Sequence, residues 1–189
     1  MHIVSLAFLF AWVGLPSAAN ISAAAQNLRS SDTCGDQTTA VPFYRSYNSA
    51  VVDHFHTTDV ILVSDALNYS GYALQAVAGM VFVTPEESTA PFYRLFSMAD
   101  SNNFYTMSTT ERDIALKNGY GLITRDPLIY IYPAQVCGSV PFYHLYHSTT
   151  GDHLYPTSET ERLAFISTQG YQDVDIAGYL LPLEVAQCG

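Results

Sequence analysis

A chain of 189 residues with a formal net charge of −10 and a single lysine, Lys117, is long enough to bury one substantial core. Its charge excludes polyanionic partners: nucleic acid and anionic lipid would be repelled, while neutral glycans would not. Solubility alone accounts for the acidity equally well.

The chain opens on an apolar run from Ile3 to Leu15, followed by Pro16-Ser17-Ala18-Ala19. Small residues at Ser17 and Ala19 fit a signal-peptidase site, so residues 1–19 read as a cleaved secretory signal, although His2 stands where a Lys or Arg is usual. The run is too short to span a bilayer, and no later run reaches the roughly 18 to 20 apolar residues that spanning needs. The protein is therefore expected outside the cell with no membrane contact after cleavage; a membrane-anchored N-terminus is the other reading. Residues 20–40, rich in Ala, Ser, Asn and Gln, read as a flexible leader.

Residues 41–189 read as a single domain built on a repeat. Pro42-Phe43-Tyr44 recurs as Pro91-Phe92-Tyr93 and Pro141-Phe142-Tyr143, at steps of 49 and 50 residues. Without a gap, the copies match again at Tyr47, Phe96 and Tyr146, at Asp53, Asn102 and Asp152, and at Phe55, Phe104 and Leu154. A fixed period of this size means one supersecondary unit used three times, over about 41–89, 90–139 and 140–189.

In the third copy, Phe142 to His147 alternates with a period of two and predicts a strand; Ser148 to Asp152 is turn chemistry, and extended structure resumes at His153, which predicts a hairpin. Ser158-x-x-Glu161 and Ser108-x-x-Glu111 are capping boxes in which each glutamate should reach back to the cap's own amide. In the first copy Asp59 can cap, but Leu62 stands in place of the glutamate. Helices should end at Gly71, Gly119 and Gly170. Last strands are expected over Val77 to Val83, Leu128 to Tyr132 and Ile176 to Leu181. The fold class is thus α+β, mainly β: three strand-strand-helix-strand repeats closed with pseudo-threefold symmetry, propeller-like or trefoil-like in outline, although a β-trefoil proper has no helix in each repeat.

Cys34, Cys137 and Cys188 are an odd count for a secreted chain. Cys34 and Cys137 each lie shortly before a Pro-Phe-Tyr block and are each followed by Gly, which favours pairing them. Cys188 is then left as a candidate for an intermolecular bond that would make a dimer. Asn68-Tyr69-Ser70 is a glycosylation acceptor; Asn20-Ile21-Ser22 is a second, set against the cleavage site.

Candidate site residues are the polar positions the copies share. Arg45, Arg94 and His144 follow the opening aromatic pair, and Asp53-His54, Asn102-Asn103 and Asp152-His153 begin the second strand. On neighbouring strands of a hairpin, the two sets can bond to each other or line one groove. Asn102 keeps an acceptor without the charge, and Asn103 imitates a histidine without its titration. Hydrogen-bond geometry survives that change, whereas acid-base or metal chemistry does not. Asp152, His153 and Ser148 or Ser158 supply the residue types of a triad, but no Gly-x-Ser-x-Gly elbow occurs. His54, His56, His144, His147 and His153 lack the spacing of a metal set. Core packing explains most of the fourteen tyrosines; an exposed minority could stack on sugar rings.

Pro141-Phe142-Tyr143-His144-Leu145-Tyr146, Asp152-His153-Leu154-Tyr155-Pro156-Thr157, Glu161-Arg162, Gly170-Tyr171 and Ile176-Ala177-Gly178-Tyr179 resemble the unit of a secreted repeat family of unknown function. That family is seen in basidiomycete fungi and attached to bacterial cell-wall hydrolases. The match covers Val41 to Leu181 and departs from the family pattern at His144, at Asn102-Asn103 and at Asp126-Pro127-Leu128. The resemblance implies a fungal, non-catalytic module without a cofactor. The expected function is lectin-like binding of a glycan or cell-wall polysaccharide. A protein-interaction factor, whether effector, immunomodulator or hydrolase inhibitor, is the alternative, and a hydrolase the third reading.

Overall fold

A computed structural model describes residues 34–124, 126 and 128–183. The signal 1–19, the leader as far as residue 33, the Asn20 acceptor and Cys188 lie outside the described residues. Three sheets follow one another, each made by one repeat. The first holds β1 (Val41–Asn48), β2 (Asp53–Thr57) and β3 (Ala73–Val81), with the helix α1 (Val60–Tyr69) between the last two. The second holds β4 (Ala90–Ser97), β5 (Asn102–Thr106), β6 (Gly121–Leu122) and β7 (Ile129–Ile131), with α2 (Thr109–Lys117). The third holds β8 (Val140–Tyr146), β9 (His153–Leu154) and β10 (Gln172–Leu180), with α3 (Glu159–Gln169). The protein is mainly β, with antiparallel sheets of three to four strands, and among the described residues no closed barrel forms.

The opening strand is central in each sheet. Its proline is tolerated because the second strand pairs only further along, from Tyr44, Tyr93 and Leu145 onward, so Pro42, Pro91 and Pro141 have a ladder partner on one side only. The hairpins form as the sequence predicts. The last strands of repeats one and three start earlier than expected, because their first halves are exposed and carry no apolar run to reveal them. In repeat two that strand is broken into β6 and β7, with the Asp126-Pro127 departure lying between them.

Asp59, Ser108 and Ser158 cap the helices, accepting from the amides of Ile61 and Leu62, of Glu111 and of Glu161. The reciprocal half of the capping box does not form. The Ser108 amide donates to the Thr106 hydroxyl, which in turn donates to the Glu111 carboxylate, and the Glu161 carboxylate faces Arg45. Gly71, Gly119 and Gly170 all take positive φ just past the helices, the left-handed conformation that ends a helix at low cost in glycine.

The core gathers matching residues of the three repeats. Phe43, Phe92 and Phe142 are fully buried together with Tyr105, Tyr155, Val81, Ile131 and Leu180; burying each phenylalanine is worth about 1.5–3 kcal/mol. Pairs of backbone hydrogen bonds join the sheets: Met80 with Leu181, Tyr130 with Phe82, and Tyr179 with Tyr132. At Gly79 an added Cβ would sit 2.9 Å from the Leu181 carbonyl oxygen, so this crossing needs glycine. Cys34 and Cys137 are joined in a disulfide, and the Gly35 amide donates to the Tyr132 hydroxyl, so the stretch just before β1 is fastened to repeat two.

Candidate functional site

The turn after each opening strand delivers an Asp or Asn to the start of the next, Asp53 and Asn102 as its first residue and Asp152 just before it, where it faces the neighbouring repeat. Asp152 is 0% exposed. It accepts from the His54 amide at 2.8 Å, the His54 ring at 2.6 Å and the Tyr171 hydroxyl at 2.5 Å. Asp53 is equally closed and accepts from the Asn103 amide at 2.8 Å, the Asn103 side chain at 2.7 Å and the Tyr72 hydroxyl at 2.5 Å. Asn102, at the matching position in repeat two, donates to the Gly151 carbonyl and toward Tyr120. The tyrosine after each helix-ending glycine is thus a second partner for this position.

Environment sets the acidities. Burial dominates at Asp53, whose partners are neutral, and pushes its carboxyl up to about 6. Burial also works to raise Asp152, but the hydrogen bond and charge of His54 hold it below the ordinary carboxylate value. His153 is driven down to about 3 by burial and by His144. Burial, above all, raises Tyr72 and Tyr171, and their Asp partners add to it.

A second layer ties the repeats nearer the core. The Tyr105 hydroxyl accepts from the His56 amide at 2.8 Å and donates to the His56 carbonyl at 2.7 Å. The Tyr155 hydroxyl does the same to Tyr105, at 3.0 and 2.9 Å. His56 stands at the matching position of repeat one, and its buried ring nitrogens find no hydrogen-bond partner among the described residues.

The positions of Arg45, Arg94 and His144 define three junctions that differ. Where repeat three meets repeat one, Arg45 bonds both carboxylate oxygens of Glu161, at 3.2 and 2.6 Å. Where repeat two meets repeat three, His144 contacts the His153 ring at 2.7 Å and Asp175 at 3.3 Å, and with Glu111 it lines a hollow of about 180 Å³. Where repeat one meets repeat two, the helix offers Leu62 instead of a glutamate. Arg94 pairs with Asp126 of its own repeat, donates to the Asn103 side chain at 2.9 Å and lies 4.3 Å above the Phe55 ring.

This last junction opens into a cleft of about 450 Å³. Phe55, Phe96, Tyr72 and Leu62 provide its apolar and aromatic walls; Arg94, Asn103, Asp65 and Asp126 provide its polar groups. Of the nine positions singled out from sequence, only Arg94 and Asn103 line it. Asp53, His54, Asn102, Asp152 and His153 instead join repeats from closed or half-closed positions. Sequence reasoning missed Leu62, Asp65, Tyr72 and Asp126 as site residues, although Leu62 and Asp126 had both stood out as departures from the repeat. Among the described residues no three His, Cys, Asp or Glu side chains are grouped to hold a metal ion, and no helix is long and apolar enough to cross a membrane.

Fold and site together define a mainly β repeat domain whose shared polar residues mostly join its parts and whose first junction opens a cleft. Residues 37–181 match the domain of unknown function DUF5648, and the chain belongs to that family. No curated protein and no solved structure matches it.

Proposed function

We propose that this is a secreted, non-catalytic, lectin-like protein that binds a glycan or cell-wall polysaccharide in the cleft between repeats one and two. The observation that carries the reading is the combination within that cleft: half-buried rings of Tyr72 and Phe96 beside polar groups of Arg94, Asn103 and Asp65. Flat apolar faces next to a few fixed donors and acceptors suit the two sides of a sugar ring. The net charge of −10 fits a ligand that is not an anion. A hydrolase is the least supported reading, because the Asp152 carboxylate that its triad would use is closed off and already accepts three hydrogen bonds.

The finer architecture belongs to the same proposal: the repeats close around an approximate threefold axis. The direction of the contacts supports it. Met80, Tyr130 and Tyr179 hold matching places and pair with repeats three, one and two in turn. Asp152 and Asp53 reach from repeat three to one and from one to two. Such closure leaves no repeat end uncovered.

Binding of the purified protein to insoluble chitin, β-glucan and peptidoglycan, compared with Leu62→Glu, tests the site. The variant places in repeat one the residue that repeats two and three hold there, and sets its carboxylate toward Arg94. Saturable, sugar-competed retention by the native protein, lost in a Leu62→Glu variant of unchanged melting temperature, is expected. Equal retention by both proteins would remove the cleft from the proposal, and no retention at all would remove the glycan. The protein-interaction reading has one observation in its favour, the exposed apolar side of α1, with Val60 at 62% and Ile61 at 67%.

A further inference from the structure

That side of α1 has an occupant written into the same helix. Ile61, Ser64 and Asn68 stand in one row at helical spacing, and the Asn68 amide donates to the Ser64 hydroxyl at 3.2 Å. Around the row, Val60 is 62% exposed, Ile61 67%, Leu67 40% and Tyr69 84%. Asn68-Tyr69-Ser70 is the acceptor sequence for N-linked glycosylation, and all three of its residues are exposed.

The matching residues of the other repeats separate this helix from its siblings. At the places of Val60 and Ile61 stand Thr109 and Thr110 in repeat two, and Glu159 and Thr160 in repeat three. At the place of Asn68 stand Lys117 and Ser167. The other helices expose apolar residues of their own, Ile114, Leu116 and Leu163, but only the helix that carries the acceptor is apolar at both of these first positions.

We infer that Asn68 bears an N-linked glycan whose first sugars lie along the outer face of α1 and cover Ile61, Val60 and Leu67. From Asn68 back to Ile61 is two turns of helix, about 10.5 Å, within reach of the first few sugar rings. Leu62, Asp65 and Ala66 on the inner side of α1, and Ser70 just past its end, line the cleft, so a glycan running from Asn68 back along the outer row toward Ile61 leaves that cleft open. A bulky polar chain laid along the patch from its end bars a protein from docking there, which makes the glycan the occupant the surface favours. The inference rests on the reading of the chain as secreted and is independent of what the cleft binds.

The full chain is expressed in a eukaryotic secretory host, and peptide mass mapping reads the occupancy of Asn68. Native protein, native protein treated with an endoglycosidase, Asn68→Gln and Ser70→Ala are then compared for binding of an apolar-surface dye, with circular dichroism confirming that each is folded. Occupied Asn68 is expected, with severalfold more dye bound by all three glycan-free forms. Val60→Thr with Ile61→Thr, the repeat-two residues, should return the Asn68→Gln protein to the native level. A secreted protein unmodified at Asn68 overturns the proposal. So does glycan-free, folded protein that binds no more dye than the native form, because the glycan then covers nothing.

Discussion

Asp53 and Asp152 hold the same place in their repeats and the same closure from solvent, yet their acidities move in opposite directions. Replacing Asp53 by Asn, the residue repeat two already has at that place as Asn102, isolates the difference. With neutral partners, burial takes the carboxyl from 3.8 to about 6. A folded value above the unfolded one means that the folded state holds the proton more tightly. The resulting stabilisation is complete below about pH 3.8 and is lost as pH rises through about 6. At about 1.36 kcal/mol per pH unit, the interval amounts to about 3 kcal/mol. The amide of the Asp53→Asn variant would have no proton to lose, and Asp152, whose depressed value contributes stability with the opposite dependence, is present in both proteins and cancels. Urea denaturation followed by circular dichroism, repeated across this range, should show the stability of native protein minus Asp53→Asn falling by about 3 kcal/mol between about pH 4 and pH 7. A difference that stays flat or grows with pH would refute the reasoning: the three hydrogen bonds to Asp53 would then outweigh its burial.

Two further perturbations test the frame around the cleft. His56→Tyr should add a hydroxyl able to bond the Tyr155 backbone as Tyr105 bonds His56 and Tyr155 bonds Tyr105; at about 1 kcal/mol per bond, a gain of about 1–2 kcal/mol is expected in thermal melts, and a lower melting temperature would show that the centre lacks room for the larger ring. Cys34→Ser with Cys137→Ser opens a link spanning 103 residues and should cost about 2–5 kcal/mol in denaturant titrations, whereas a cost below about 1 kcal/mol would mean that the segment before β1 contributes little to the fold.

Local chemistry was legible in the sequence, and contact between repeats was not. Ser108, Ser158 and Asp59 announce helix starts because a cap and its amides lie within three residues of each other, and Gly71, Gly119 and Gly170 announce helix ends for the same reason. The capping boxes misled at their second half, since Glu161 has a better partner in Arg45, 116 residues away, and no spacing within a helix reveals it. The shared Arg and Asp-His positions were expected to meet within one hairpin. Arg94 and Asn103 do so, nine residues apart, whereas Asp152 meets His54 across 98 residues. The period identifies which positions match, but it does not say whether a position faces its own repeat or the next.

Leu62 shows how departures from the period shape the cleft. Read along the chain, it weakens a cap; read across the junction, it removes the carboxylate that an arginine at this position meets in Glu161. Arg94 then turns to Asp126, which lies in the stretch where repeat two breaks its last strand into β6 and β7. The two irregularities therefore belong to one rearrangement: losing the carboxylate on one side of the junction is compensated by an acid supplied on the other. The space between them is the 450 Å³ cleft. Matching residues build the frame, and the residues that fail to match decide where it opens.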